Sequence, residues 1–220
     1  MSEAPAVDGL AVVFADDHLV AVDKPPGLLS VPGRGPDRAD CAARRVQAAF
    51  ADALIVHRLD MGTSGGVVFG RGGAAQRALS RAFETRQVAK RYLAIVAGWP
   101  EADEGLVELP LICDWPNRPR QMVDHERGRP STTRWQVLQR LPAAGGGPPA
   151  TRLALTPLTG RSHQLRVHLA AIGHPIVGDE LYAPPAVQAM APRLLLHAES
   201  LTLPHPANGR PLALHAPCPF

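Results

Sequence analysis

Proline and glycine cut this chain into pieces too short for long regular elements: 23 prolines and 20 glycines are spread through 220 residues. Proline removes a backbone donor and fixes φ, and glycine weakens helix and strand interiors, so each one punctuates the fold. No apolar run reaches the roughly 18 residues that a membrane helix needs. No membrane span is therefore expected. An apolar content of 45% is that of a folded protein with a core, so disorder is excluded. What remains is a chain of many short strands and a few short helices joined by tight turns.

The apolar runs place those elements. Ala11–Phe14 and Leu19–Asp23, separated by Asp16-Asp17-His18, predict a hairpin. Lys24-Pro25-Pro26-Gly27 stops it, and Leu28–Gly33 continues as a stiff, proline-pinned loop. Lys24 is read either as a solvated loop residue or as a cation facing phosphate. Arg38–Phe50 is alanine-rich and predicts a helix with Cys41, Arg45 and Ala48 on one face, and Ala74–Thr85 predicts a second amphipathic helix around Leu79, Ala82 and Phe83. Ala53–Val56 and Gln87–Gly98 read as strands. Residues 105–135 alternate short apolar pieces with arginine, proline and glycine, which suits an exposed, insert-like hairpin region. Trp135–Leu138 and Thr151–Leu155 read as strands joined by the loose Gly/Pro loop of 138–150. Leu165, His168, Leu169 and Ile172 predict a helix starting near Ser162, with Arg161 and Ser162 at an anion-favouring N-terminus. Ala191–Ala198 reads as an apolar strand, and the proline-broken tail as a last short strand or two. Residues 1–10 form a mobile start, and 11–220 a single domain.

Two constellations could carry chemistry. The first is His57-Arg58-Leu59-Asp60 followed by Gly62-Thr63-Ser64-Gly65, a lone carboxylate on a turn beside an arginine. Asp60 is read either as a turn or capping residue or as a nucleophile or general base, since loops held by rigid elements carry much of catalysis. The second is Gly160-Arg161-Ser162-His163-Gln164-Leu165-Arg166-Val167-His168, with His174 and Asp179 downstream. Its histidines do not have the spacing of a compact tetrahedral zinc site. Net charge is only +3, but the basic residues are nearly all arginine, the better clamp for phosphate and bases. Arg118, Arg120, Arg127, Arg129 and Arg134 interleave with Trp115 and Trp135, a pattern of phosphate clamps beside stacking surfaces, or else a solvated hairpin with its tryptophans turned inward. Cys41, Cys113 and Cys218 are scattered and read as reduced thiols of a cytoplasmic protein.

The run from His57 to Gly65 resembles the catalytic motif of the RluA-type pseudouridine synthases. Asp23–Arg34, Lys90-Arg91-Tyr92 and Gly160–His168 resemble that family's other blocks, in the family's order. Leu109–Pro119 and Ala189–Ala198 are similar to its short, dual-specificity subgroup. The resemblance implies an α/β (α+β) catalytic domain with a mixed, mainly antiparallel sheet, flanking helices and no S4 domain. It implies isomerisation of uridine to pseudouridine in stem-loop RNA, with no cofactor, no metal and no membrane, by a monomer. The subgroup implies uridine 32 of the tRNA anticodon loop and uridine 746 in a similar 23S rRNA hairpin. Asp60 is then nucleophile or base, Tyr92 stacks on the uracil, Arg161 holds the carboxylate, and Arg58 fills the gap left by the flipped nucleotide. Leu195 or Leu196 lines the uracil pocket. His57, Thr63, Lys90, Arg118, Arg120, Arg129, His163, Gln164 and Arg166 are expected at the RNA. Gly66 and Gly70 depart from the family's pattern and are expected to loosen the strand after the turn. A non-catalytic RNA-binding module or chaperone and a metal-dependent hydrolase are the rival readings.

Overall fold

The computed structural model describes residues 6–33, 35, 38–143 and 148–220. Along the chain lie β1 (Ala11–Ala15), β2 (Leu19–Lys24), α1 (Ala42–Ala49), β3 (Ala53–Ile55), β4 (Ser64–Arg71) and α2 (Gly72–Glu84). Then come β5 (Ala89–Ala97), β6 (Glu104–Glu108), β7 (Leu111–Cys113), β8 (Gln121–Val123), β9 (Thr132–Leu141), β10 (Ala150–Pro157), α3 (Gln164–Ala171), α4 (Pro185–Gln188), β11 (Leu196–Pro204) and β12 (Pro211–His215). They form two units, one up to Lys90 together with Ala198–Pro219, the other Arg91–His197 with Phe220. This is the strand-rich α+β class that the sequence predicts.

In the first unit the strands run β1-β2-β4-β11, with β12 on β11 and β3 on β4. The β1–β2 turn is set by Asp16, whose carboxylate accepts from the backbone N–H groups of His18 (2.8 Å) and Leu19 (2.9 Å). β2 is paired on both edges and buried, which is why it reads as an unbroken apolar run. Its Leu19 and Ala21 join Val68 of β4, Leu79 and Ala82 of α2, and Leu201, Leu203 and Leu214 in one core. α2 leaves β4 at once, because Gly72 takes φ 74°. The helix lies so close that a Cβ on Gly70 would sit 2.6 Å from the Gln76 backbone. The loosening expected at Gly66 and Gly70 is not seen: both are in register, opposite Asp23 and Leu19.

α1 is shorter than expected and turns a different face inward. Asp40 spends its carboxylate on Arg45 (2.9 and 2.7 Å) instead of capping, so the helix begins only after Cys41. Ala42, Ala43 and Val46 are buried, while Ala48 is exposed. Residues 1–5 of the expected mobile start lie outside the described residues; Val7 and Leu10 are buried and bridged.

In the second unit β5-β10-β9-β6 form an antiparallel run. Part of the predicted β9–β10 loop, 144–147, lies outside the described residues. β6 and β9 belong to this sheet, so only β7–β8 projects as the expected insert-like hairpin. Ala94, Val96, Trp135, Leu153, Leu155, Leu165, Leu169, Ile176 and Leu196 make the core. Trp135 is thus a core residue at 8% exposure, whereas Trp115 is 64% exposed. Residues 191–195, expected in a strand, lie outside β11; Leu195 instead bonds backbone-to-backbone with Ile95 and Val177.

Candidate active site

Asp60 sits on a loop between β3 and β4 whose backbone is fastened on both sides. On one side the Ser30 hydroxyl donates to the Leu59 carbonyl (2.8 Å) and accepts from the Leu59 N–H (2.9 Å). On the other, the Met61 carbonyl accepts from the Gly27 N–H (2.8 Å) and from the Lys24 ammonium (3.2 Å). Lys24 is wholly buried and donates also to the carbonyls of Pro25 (2.9 Å) and Leu28 (2.8 Å). A buried charge is costly unless its donors are matched, and three carbonyls around a compact ammonium meet that need. Lys24 therefore does not face phosphate; it ties the Pro25–Ser30 loop to the Asp60 turn. Thr63, buried, closes the turn by donating its N–H to the Asp60 carbonyl (3.1 Å). The Asp60 side chain itself is half-buried. The backbone that carries the Asp60 carboxylate is thus fastened on both sides.

His57 fastens the same loop to β4. Its Nε2 accepts from the Val68 N–H (3.0 Å), and its ring stacks on Phe83 of α2 at 4.5 Å between centroids. An Nε2 that accepts belongs to the neutral ring with its proton on Nδ1. Burial, and then the nearby Lys90 charge, push the His57 pKa down to about 3. Lys90, half-buried, is itself lowered by desolvation and by Arg86. Arg58, between His57 and Leu59, is exposed.

In the second unit Tyr92 is half-buried on β5 and packs against the core. Arg161 lies just before α3, its N–H donating to the Gln164 side-chain oxygen (3.0 Å) and its Nε to the Pro130 carbonyl (3.4 Å). Gln164 is buried with every polar atom used: its oxygen also accepts from Thr159 Oγ1 (2.7 Å), and its nitrogen donates to the Thr132 carbonyl and Thr133 Oγ1 (3.0 Å each). It pins the Thr159–Arg161 turn to β9. α3 starts at Gln164, later than the expected Ser162, because His163 adopts φ 52° as its N-cap. His163 Nδ1 meets the Tyr182 hydroxyl at 2.6 Å, and that hydroxyl accepts from the Gln121 N–H of β8 (2.8 Å).

Arg166, expected at the RNA, and the histidines weighed as zinc ligands are bonded within the protein. Arg166 makes a buried bidentate pair with Asp179, both bonds 2.7 Å. His168 bridges Ser131 (2.9 Å), the Leu109 carbonyl (3.0 Å) and Thr133 (2.9 Å), and burial lowers its pKa. His174 meets the Ala97 carbonyl at 2.9 Å, so the three histidines serve separate bonds. Leu196 is core and Leu195 half-buried. Lys24, Ser30 and Tyr182 were not singled out from sequence as positioning residues, because each acts on backbone or rings far along the chain.

A family model described as RNA pseudouridylate synthase matches residues 18–171. The chain belongs to that family. Dual-specificity RNA pseudouridine synthase RluA of Escherichia coli strain K12 is 51% identical over 216 residues, covering 98% of this chain and 96% of the relative. The protein of the same name from Pasteurella multocida is 49% identical over 221 residues, covering 100% and 99%. Among solved structures, human RNA pseudouridylate synthase domain containing 1 superposes with a TM-score of 0.81 at 28% identity, covering all of this chain and 87% of that one. This synthase is thus an isomerase that acts on RNA.

Arg118 and Arg120 of the synthase are exposed on the β7–β8 hairpin, as are other arginines elsewhere on the chain, Arg77 and Arg81 of α2 among them. Arg118 lies over the Trp115 ring at 4.3 Å, Arg120 over the Tyr182 ring at 5.4 Å, and Arg129 is exposed beside β7. Among the described residues no carboxylate pairs with Arg118, Arg120 or Arg129, unlike Arg127, which is taken by Asp124.

Proposed function

We propose that this chain converts uridine to pseudouridine in the loop of stem-loop RNA, with Asp60 as nucleophile or base. In that reaction the bond from C1′ to N1 breaks, the uracil turns, and C1′ rejoins through C5. The C5 proton is lost and N1 gains one, so no redox partner or group carrier enters. The observation that carries the reading is the Asp60 turn, fastened through Leu59 and Met61 to the loop of residues 24–30. Such fixation matters where a carboxylate must meet a reacting carbon without first paying for its own ordering.

The matching motif positions support the other roles: Tyr92 as the ring on which the uracil stacks, Arg161 as the cation that keeps the carboxylate charged, and Arg58 as the side chain taking the place of the flipped nucleotide. Arg118, Arg120 and Arg129 contact phosphates. The dual-specificity name of the RluA relatives supports two RNA substrates; we take these, from the subgroup resemblance, to be a tRNA anticodon loop and a hairpin of 23S rRNA. We place the enzyme in the cytoplasm as a monomer; among the described residues no helix is long and apolar enough to cross a membrane.

The test is tritium release from an anticodon stem-loop and from the rRNA hairpin, each transcribed with uridine labelled at C5. Release from both is expected. Binding without release from either RNA would instead establish the RNA-binding module without chemistry.

A further inference from the structure

The tip of the β7–β8 hairpin exposes an aromatic ring with a guanidinium over it. Residues 115–120 are all exposed, and Trp115 shows 64% of its surface. One face of its indole is covered by the Arg118 guanidinium at 4.3 Å, and exposure of that extent requires the other face to meet solvent. A partner that covers the open face would remove apolar surface from water. The loop that carries the ring is also cross-linked. The Asp114 N–H donates to the Arg120 carbonyl (3.0 Å), the Arg120 N–H to the Asn117 carbonyl (3.0 Å), and the Asn117 amide to the Asp114 carboxylate (3.0 and 3.1 Å). Tyr182 then anchors Gln121, at the first position of β8. A surface ordered in advance loses little entropy on binding.

Its neighbours say what kind of partner fits. Arg118 and Arg120 bring positive charge that no carboxylate among the described residues pairs with, which repels a basic surface and attracts a polyanion. A flat apolar face on a loop that also carries two exposed arginines matches one nucleotide unit, the base on the ring and the phosphate on the arginines. Paired bases inside a duplex have no free face to offer.

We propose that the open face of Trp115 stacks on an unpaired nucleobase of the RNA substrate, a contact outside the reacting uridine. This rests on the RNA reading above. The experiment measures binding of a fluorescein-labelled RNA hairpin with a uridine-containing loop, and of a blunt duplex with the same stem, to the wild type, Trp115→Ala and Trp115→Phe. Trp115→Ala should weaken hairpin binding roughly ten- to a hundred-fold and leave duplex binding unchanged. Trp115→Phe should bind the hairpin within a few-fold of wild type, since phenylalanine also offers a π face. Replacing loop bases one at a time by abasic sites should find one position at which the Trp115→Ala loss disappears. Wild-type affinity in Trp115→Ala would overturn the proposal, as would equal weakening for hairpin and duplex. No hairpin binding by the wild type would instead overturn the RNA reading itself, and this proposal with it.

Discussion

The ammonium of Lys24 lies 3.2 Å from the carbonyl of Met61, the residue that follows Asp60, although 37 positions separate the two in the chain. Lys24 and Lys90 are the chain's only lysines. Where the fold needs a point charge ringed by carbonyls, it uses the one cation whose donors fan out from a single atom.

Removing that cation should cost both stability and rate. Lys24→Met takes the donor from the Pro25 and Leu28 carbonyls and one of the two donors from the Met61 carbonyl, for an expected loss of about 2–4 kcal/mol in denaturant unfolding. Lys24→Arg should not restore it, because a planar fork does not match three acceptors set around one point. Ser30→Ala should cost about 1–3 kcal/mol and lower kcat more than it raises KM, since it frees Leu59 without touching RNA. Unchanged stability and kcat in both Lys24→Met and Ser30→Ala would show that the 24–30 loop does not hold the Asp60 turn.

His57 should make the protein acid-sensitive. Its folded pKa, about 3, lies below its unfolded value, so between these the unfolded state binds the extra proton. Stability should then fall as pH drops from about 6.5 toward 3, by at most about 1.4 kcal/mol per pH unit from this one group. His168, also lowered, acts in the same direction. In His57→Gln the slope of stability between pH 4 and 6 should decrease by up to one proton. A slope equal to wild type would mean that His57 is not held neutral.

The glycines of β4 should differ sharply. A Cβ on Gly66 would meet its neighbours at an ordinary 3.7 Å, so Gly66→Ala should be neutral or stabilise by up to about 1 kcal/mol through the unfolded chain. On Gly70 it would press on the Gln76 backbone at 2.6 Å, and on Gly65, at φ 114°, on the Ala198 carbonyl. Gly70→Ala and Gly65→Ala should lower the melting temperature markedly. Similar melting for all three variants would contradict the close approach of α2 and of Ala198 to this strand.

How much of this was legible in the sequence depends on how far each residue's partner lies. The β1–β2 hairpin, β3, α2 and β5 are local apolar patterns and stand within a few residues of where sequence puts them. The inward face of α1 was misjudged because alanines mark no face, and the start of α3 because nothing local announces a left-handed His163. Charged residues were read as surface groups by default. Lys24 and Arg166 break that rule, since Met61 and Asp179 are remote partners that no local pattern reveals. The Asp60 motif was legible as a motif; the Ser30, Gly27 and Lys24 bonds that fix it were not.

If Arg118, Arg120 and Arg129 contact phosphates, each change to alanine should flatten the salt dependence of RNA binding by about one ion. Arg127→Ala, which removes a guanidinium already paired with Asp124, should change that slope less. An unaltered slope for the first three would return them to the solvent-facing surface.

The central claim is that Asp60 does the chemistry and that the surrounding loop exists to hold it. The most direct measurement is single-turnover tritium release from C5-labelled uridine in a bound RNA hairpin, comparing wild type with Asp60→Asn at saturating protein. Asp60→Asn should bind the hairpin with near wild-type affinity and release no tritium above background. Release by Asp60→Asn at a rate close to wild type would contradict the account.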